Sequence, residues 1–402
     1  MNLHFYFDVV CPFAYLASTQ VEDLAKETGA SLHWEPTLLG GLFNHISTPQ
    51  NVNATRSANR QAIGARDLKR RAQVLDVSLN SPFAHPQRTV SAMRLVTGTP
   101  ATLRPDVTKA LYEAYWVNGE DIGDRATIDT VARRFDIDPD IIDAQSTKDA
   151  LRAKTAEAAE YGMFGVPTYR VEDKIWWGVD RQHFVREALG GGSTFIQPAQ
   201  KTRVKRAKLT FFHDFSSPFS YLASTQIQRV ALEHDAELEW RPILLGALFN
   251  TIGTDNVPLF SMSQAKRLHL GKDMQDWARW WGVPLNFPKA FPLRTVSPLR
   301  VALQNPATTP AIYQAAWVED RNIGDPEVLV AVLNDAGFDG PALLEGCQAP
   351  QIKAKLRANT EAAINAGACG VPTFLVNGEH LFWGQDRLDQ VATALDGWLP
   401  VE

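Results

Sequence analysis

Short apolar runs bounded by polar residues occur along this chain in two matching sets. Residues 3–8 and 209–214 are each long enough for a strand and too short for a helix. Both runs lead into X-Pro-Phe. Pro12 and Pro218 stand where a helix can begin, because the first-turn N–H has no partner to lose. Leu32-His33-Trp34 and Leu238-Glu239-Trp240 predict second strands, ended by Pro36 and Pro242. Residues 55–160 and 262–365 then place Ala, Leu, Arg and Glu at helical spacing. Strand-like runs return at residues 167–171 and 372–376. Turns at Glu172-Asp173-Lys174 and Asn377-Gly378-Glu379 follow, then Ile175-Trp176-Trp177 and Leu381-Phe382-Trp383, predicting hairpins. A last helix is predicted from about residue 180 and from about residue 386. Each half therefore reads β-α-β, a helical insertion, then β-β-α.

The two sets match residue by residue. FYFDVVCPFAYLASTQ near the start stands against FFHDFSSPFSYLASTQ, so that Cys11 faces Ser217 at an offset of 206. Leu38-Leu39-Gly40 and Arg88-Thr89-Val90-Ser91 keep that offset to their counterparts at 244–246 and 294–297. Ile122-Gly123-Asp124 matches Ile323-Gly324-Asp325 at 201, so small insertions separate the copies. Gly165-Val166-Pro167-Thr168 pairs with Gly370-Val371-Pro372-Thr373, and the Trp-Gly-x-Asp-Arg block recurs at 177–181 and 383–387. A repeat this long is a duplicated domain, since solenoid units run to about 20–50 residues.

Length agrees, because 402 residues suit two domains of roughly 100–200 residues each. The expected domains are 1–189 and 208–402. Between them Gly190-Gly191-Gly192-Ser193 and a run of Lys201, Arg203, Lys205, Arg206 and Lys208 predict a linker at 190–207. With a net charge of −5, that run reads as solvated linker charge, and no nucleic-acid partner is expected. No apolar run reaches the ~20 residues of a membrane span, and no basic leader precedes the first strand. The three cysteines, Cys11, Cys347 and Cys369, form no CxxC, and the nine histidines form no ligand cluster. These features lead us to expect a cytoplasmic, reduced protein with no metal and no membrane partner.

The chemistry concentrates at X of X-Pro-Phe. A thiol or hydroxyl there lies beside unpaired N–H groups and the positive end of the helix dipole, which favour negative charge on sulfur or oxygen. Ser217 has two readings: a helix N-cap, the usual work of serine before a helix, or a donor to a bound thiolate.

The whole pattern resembles the thioredoxin fold, and its helical insertion resembles the DsbA-like branch. F-x-x-D-x-x-S-P-F-S-Y-L, Leu244-Leu245-Gly246, GVPTF and FWGQDRLD are similar to kappa-class glutathione transferases and 2-hydroxychromene-2-carboxylate isomerases. The resemblance implies an α/β fold of two tandem thioredoxin-like domains and glutathione as cofactor. It implies that Ser217 holds the glutathione sulfur as thiolate. Val371, before a cis Pro372, would pair its backbone with the cysteinyl part, and Asp386 would hold the γ-glutamyl amine. Lys266 would meet a carboxylate, and Asn256 stands one residue out of register with a loop asparagine of the family. The implied reaction is a glutathione-dependent isomerisation of a small aromatic-derived substrate, with Phe219 and Trp383 as candidate lining.

The first copy departs from this pattern. Cys11 replaces the serine and Ala14 stands where a CxxC would have its second thiol, so no dithiol cycle can run there. Val166, Pro167 and Asp180 keep the glutathione frame, with Arg60 in place of Lys266. The helix N-terminus is expected to lower the Cys11 pKa. Cys11 could then serve a monothiol disulfide oxidoreductase or glutathione transferase, or be a buried remnant. Cys347 reads as inert, whereas Cys369 lies next to the binding edge, where a redox role is open. A third reading is a non-catalytic thiol-binding protein. Relatives of this kind resemble homodimers, so an intramolecular pseudo-dimer of the two halves is also an expectation.

Overall fold

The computed structural model describes residues 1–80, 82, 84–192 and 206–401, so most of the expected linker at 190–207 lies outside the described residues. The chain forms two compact units. The first comprises Met1–Ala54, Leu68–Ile196 and Ser263–His269; the second comprises Thr55–Asp67, Gln197–Met262 and Leu270–Glu402.

In the first unit, β1 (Asn2–Phe7), β2 (Ser31–Pro36), β3 (Thr168–Val171) and β4 (Lys174–Trp177) form a sheet in the order β2-β1-β3-β4. β1 runs parallel to β2 and antiparallel to β3, and β3 turns back on β4. A central strand has both faces covered, which explains why residues 3–7 are almost continuously apolar. Leu3, Phe5 and Phe7 are fully buried, and Phe5 and Phe7 both meet the edge of Trp34. The helix Pro12–Ser18 follows β1, and the insertion holds the helices Val90–Gly98, Arg104–Tyr112, Arg125–Arg134 and Gln145–Glu160. A π-helical turn, Glu113–Val117, carries Tyr115 and Trp116 into the core.

The second unit repeats the plan. β5 (Lys208–His213), β6 (Glu237–Pro242), β7 (Thr373–Val376) and β8 (His380–Trp383) are ordered β6-β5-β7-β8. The β7–β8 hairpin turns on Asn377 and Gly378, both at positive φ, and the Glu379 N–H closes the turn on the Val376 carbonyl at 3.1 Å. Phe211 stacks on Phe374 and meets the edge of Trp240. The helix Pro218–Glu233 starts beside the sheet, and Leu388–Leu395 closes the unit. No described helix is long and apolar enough to cross a membrane.

Candidate active site

The turn between first strand and first helix is held by the same bonds in each unit. In the second unit the carboxylate of Asp214 is buried and accepts from the backbone N–H of Ser216 (2.9 Å) and of Leu245 (2.9 Å). Its carbonyl accepts from the N–H of Ser217 at 3.1 Å, and the indole of Trp317 donates to the Phe215 carbonyl at 2.8 Å. In the first unit Asp8 accepts from Val10 (3.1 Å) and Leu39 (2.8 Å), the Cys11 N–H donates to the Asp8 carbonyl (3.0 Å), and Trp116 donates to the Val9 carbonyl (2.8 Å). Burial pushes both carboxyls up, and these donors pull against it. The backbone frame is shared while the side chains differ: Ser216, in place of Val10, adds a hydroxyl bond to Asp214 at 3.0 Å, and the residue at the end of the turn carries oxygen in one copy and sulfur in the other.

That residue faces the strand that begins at the cis proline. Val371–Pro372 and Val166–Pro167 are both cis. The Ser217 hydroxyl donates to the Val371 carbonyl at 3.2 Å, and the Cys11 thiol donates to the Val166 carbonyl at 3.2 Å. Ser217 Oγ also accepts from the Ser220 N–H at 3.2 Å, so it caps its helix, whereas Cys11 makes no such bond. Cys11 is 8% exposed and Ser217 5%.

The expected lowering of the Cys11 pKa does not hold. Burial pushes the thiol up to about 12, and the nearby backbone N–H groups of Ala14 and Phe13 only partly offset it. A helix terminus was legible in the sequence; the apolar cover over the sulfur was not. Cys369, 5% exposed, is pushed up to about 11 by burial, although Arg60 pulls it down. Cys347 donates to the carbonyls of Leu343 and Ser297 inside its helical layer.

The Gly-Val-Pro and Trp-Gly-x-Asp-Arg blocks meet. A Cβ on Gly370 would lie 2.9 Å from the Trp383 indole nitrogen, and one on Gly165 2.7 Å from that of Trp177, so an indole lies against each glycine. The Gly384 N–H donates to the Pro372 carbonyl at 3.0 Å, and Gly178 to Pro167 at 2.9 Å. This draws the short turn bearing Asp386, or Asp180, up to the cis-proline edge. Asp386 lies 3.1 Å from the Arg387 guanidinium; Asp180 lies 3.2 Å from Arg71 and 3.1 Å from Arg181.

Ser217, Val371, Pro372 and Asp386 therefore come together, as do Cys11, Val166, Pro167 and Asp180. Lys266 is placed differently from the expectation: it lies in Ser263–His269, which belongs to the first unit. The second unit instead contains Arg60, whose guanidinium lies 4.1 Å over the Trp383 ring. Asn59 donates to the Ala368 carbonyl at 3.0 Å, and Arg387 grips Asp67 at 2.7 and 3.0 Å. The 206-residue offset alone places Arg60 with the first copy and Lys266 with the second, and the sequence carries no signal for the different assignment. Trp383, expected as substrate lining, is occupied on one side by Arg60 and on another by Gly370.

This geometry offers a hydroxyl at a helix N-terminus, a backbone edge, a guanidinium and a carboxylate in one unit. The model for the DSBA-like thioredoxin domain matches residues 2–190 and 208–396. The 2-hydroxychromene-2-carboxylate isomerase of Sphingobium xenophagum is 28% identical over 191 residues, covering 45% of this chain and 94% of that protein. Human glutathione S-transferase kappa 1 is 26% identical over 208 residues, covering 47% and 91%. A solved 2-hydroxychromene-2-carboxylate isomerase structure aligns at 27% identity and a TM-score of 0.42, over 47% of this chain and 94% of its own. Each relative spans about half of this chain. The chain belongs to the DSBA-like thioredoxin domain family and carries that domain twice.

Proposed function

We propose that the second unit binds glutathione with its sulfur at Ser217 and serves a glutathione-dependent isomerase. The observation that carries this reading is the Ser217 hydroxyl, held at a helix N-terminus and pointed at the cis-proline edge through Val371. The isomerase and transferase names of the relatives support it.

The donor set suits the tripeptide. Glutathione has a thiol near its middle, an ammonium group and two carboxylates. Arg60 supplies a cation in this unit, Asp386 an anion, and Val371 the backbone just ahead of β7. Bound glutathione supplies a sulfur nucleophile that adds to a conjugated small molecule and is expelled unchanged. Ser217 must release the Val371 carbonyl to donate toward that sulfur, while its oxygen keeps the Ser220 N–H. Asp214 and Trp317 hold the turn during this switch, and the helix N-terminus favours the charged form.

Disulfide exchange at Cys11 is less favoured, because the buried thiol is held protonated. The test is calorimetric titration of the full chain with glutathione, followed by turnover of a 2-hydroxychromene-2-carboxylate. Asp386→Ala is expected to weaken glutathione binding, and Ser217→Ala to lower turnover about a hundredfold. Absence of glutathione binding to the wild-type chain would overturn the reading.

A further inference from the structure

The second unit exposes phenylalanines that a soluble surface has little reason to keep. Phe260 is 62% exposed and Phe287 44%. They belong to one ring series. Phe260 meets Phe291 edge-on (6.4 Å, 85°), Phe291 packs on Phe287 (4.9 Å), and Phe287 meets the edge of Trp317 (5.7 Å, 80°). Trp317 is fully buried, and its indole nitrogen holds the Phe215 carbonyl, two residues before Ser217. An aromatic series thus runs without a break from the surface to the active turn. Isolated exposed apolar residues are ordinary, but a contiguous aromatic patch joined to a site is not.

These three phenylalanines are particular to this copy. At the 206-residue offset the first copy has Ala54, Ser81 and His85 in place of Phe260, Phe287 and Phe291. His85 is engaged with the Tyr115 hydroxyl at 2.8 Å. Phe260, Phe287 and Phe291 thus accompany Ser217 and are not repeated at the matching positions of the copy with Cys11.

We infer that Phe260, Phe287 and Phe291 form the wall that receives a flat conjugated ring beside Ser217, and so determine which acceptors the second unit takes. Phe260 stands nearly perpendicular to Phe291, so a third ring can stack on one while meeting the other edge-on, the two arrangements aromatic pairs prefer. The inference rests on the glutathione reading for the reaction at Ser217; ring binding itself is a separate event and is tested separately.

The probe is naphthalene-2-carboxylate, titrated calorimetrically into the full chain with and without glutathione. Phe260→Ala and Phe291→Ala are each expected to weaken its binding about tenfold, while Phe291→Tyr keeps most of it. Circular dichroism and glutathione affinity should stay at wild-type values, since Phe260 is exposed and Phe291 is only half-buried. Wild-type protein that fails to bind the naphthoate, or variants that bind it unchanged, would overturn the proposal. So would sedimentation showing the chain self-associating through this patch, with the alanine variants monomeric and naphthoate without effect on association. Naphthoate binding that follows the prediction in a chain that does not bind glutathione would support the wall and remove the thiol reading.

Discussion

Ser217 donates its hydroxyl to the carbonyl of Val371 at 3.2 Å, a bond that joins the start of the first helix to the cis-proline edge. Cys11 makes the same bond to Val166 over the same distance. The two bonds differ in strength, because a thiol is a weak donor and a hydroxyl a good one. Ser217→Ala removes both this bond and the cap on Ser220. We predict a loss of stability of about 1 kcal/mol in urea unfolding, together with the fall in turnover. Ser217→Gly, which keeps most capping tendency at a cost of a few tenths of a kcal/mol, should lose turnover equally. Retained turnover in Ser217→Gly would show that the hydroxyl has no part in the chemistry.

Cys11 is predicted to resist alkylation in the native chain. Its thiol is pushed up to about 12, against an ordinary 9, so almost none is thiolate near neutrality. In the unfolded chain it ionises near 9, so the contribution of this group to stability is lost as pH rises above about 9. Iodoacetamide labelling followed by mass spectrometry should modify Cys11 only at the rate of unfolding. Rapid labelling of folded protein at neutral pH would contradict the burial argument and revive a monothiol role.

His213 should make the second unit sensitive to acid. It is fully buried, its Nδ1 is bonded to the Tyr313 hydroxyl at 3.0 Å, and its Nε2 has no partner among the described residues. Burial lowers its pKa from 6.5 to about 3. Between these values the unfolded chain takes up a proton that the folded chain refuses, so stability falls as pH drops through that window. One such group contributes at most about 1.4 kcal/mol per pH unit. The first copy has Phe7 at the matching position. His213→Phe is therefore predicted to flatten the pH dependence of urea unfolding between about pH 6 and pH 4. His183, lowered to about 3 for the same reason, supplies a slope that remains. An unchanged profile would show that His213 is protonated without unfolding.

The sequence made the strand-turn-helix, the cis-proline edge and the hairpins legible, because each depends on local chemistry. Pro12 and Pro218 begin helices, and Gly165 and Gly370 accept an indole where a side chain would clash. Asn377-Gly378 closes a tight hairpin. What the sequence left out depends on distant packing. Nothing in the residues around Arg60 or Lys266 tells which unit each joins. The helix dipole at Cys11 could be read from Cys-Pro, but the burial that outweighs it is made by the fold, which brings Val166, 155 positions away, onto the sulfur. Phe260, Phe287 and Phe291 are spread over 32 positions and become one feature only in the fold.

Arg387 and Asp67 offer a test of that distant packing. Their side chains are 12% and 17% exposed, and the guanidinium also reaches Asp386. Asp67→Ala leaves a largely buried cation with less compensation, and we predict a loss of about 2–4 kcal/mol in chemical unfolding. The freed Arg387 should also turn further onto Asp386 and weaken glutathione binding. Wild-type stability and affinity in this variant would show that Asp67 does not support the site.

The measurement that tests the central claim most directly is a pH titration of thiolate absorbance for glutathione bound to the full chain. The account predicts that the bound thiol ionises at a lower pH than free glutathione, and that Ser217→Ala moves the midpoint back toward the free value. A midpoint equal to that of free glutathione, or one that Ser217→Ala leaves in place, would contradict a thiolate held by Ser217.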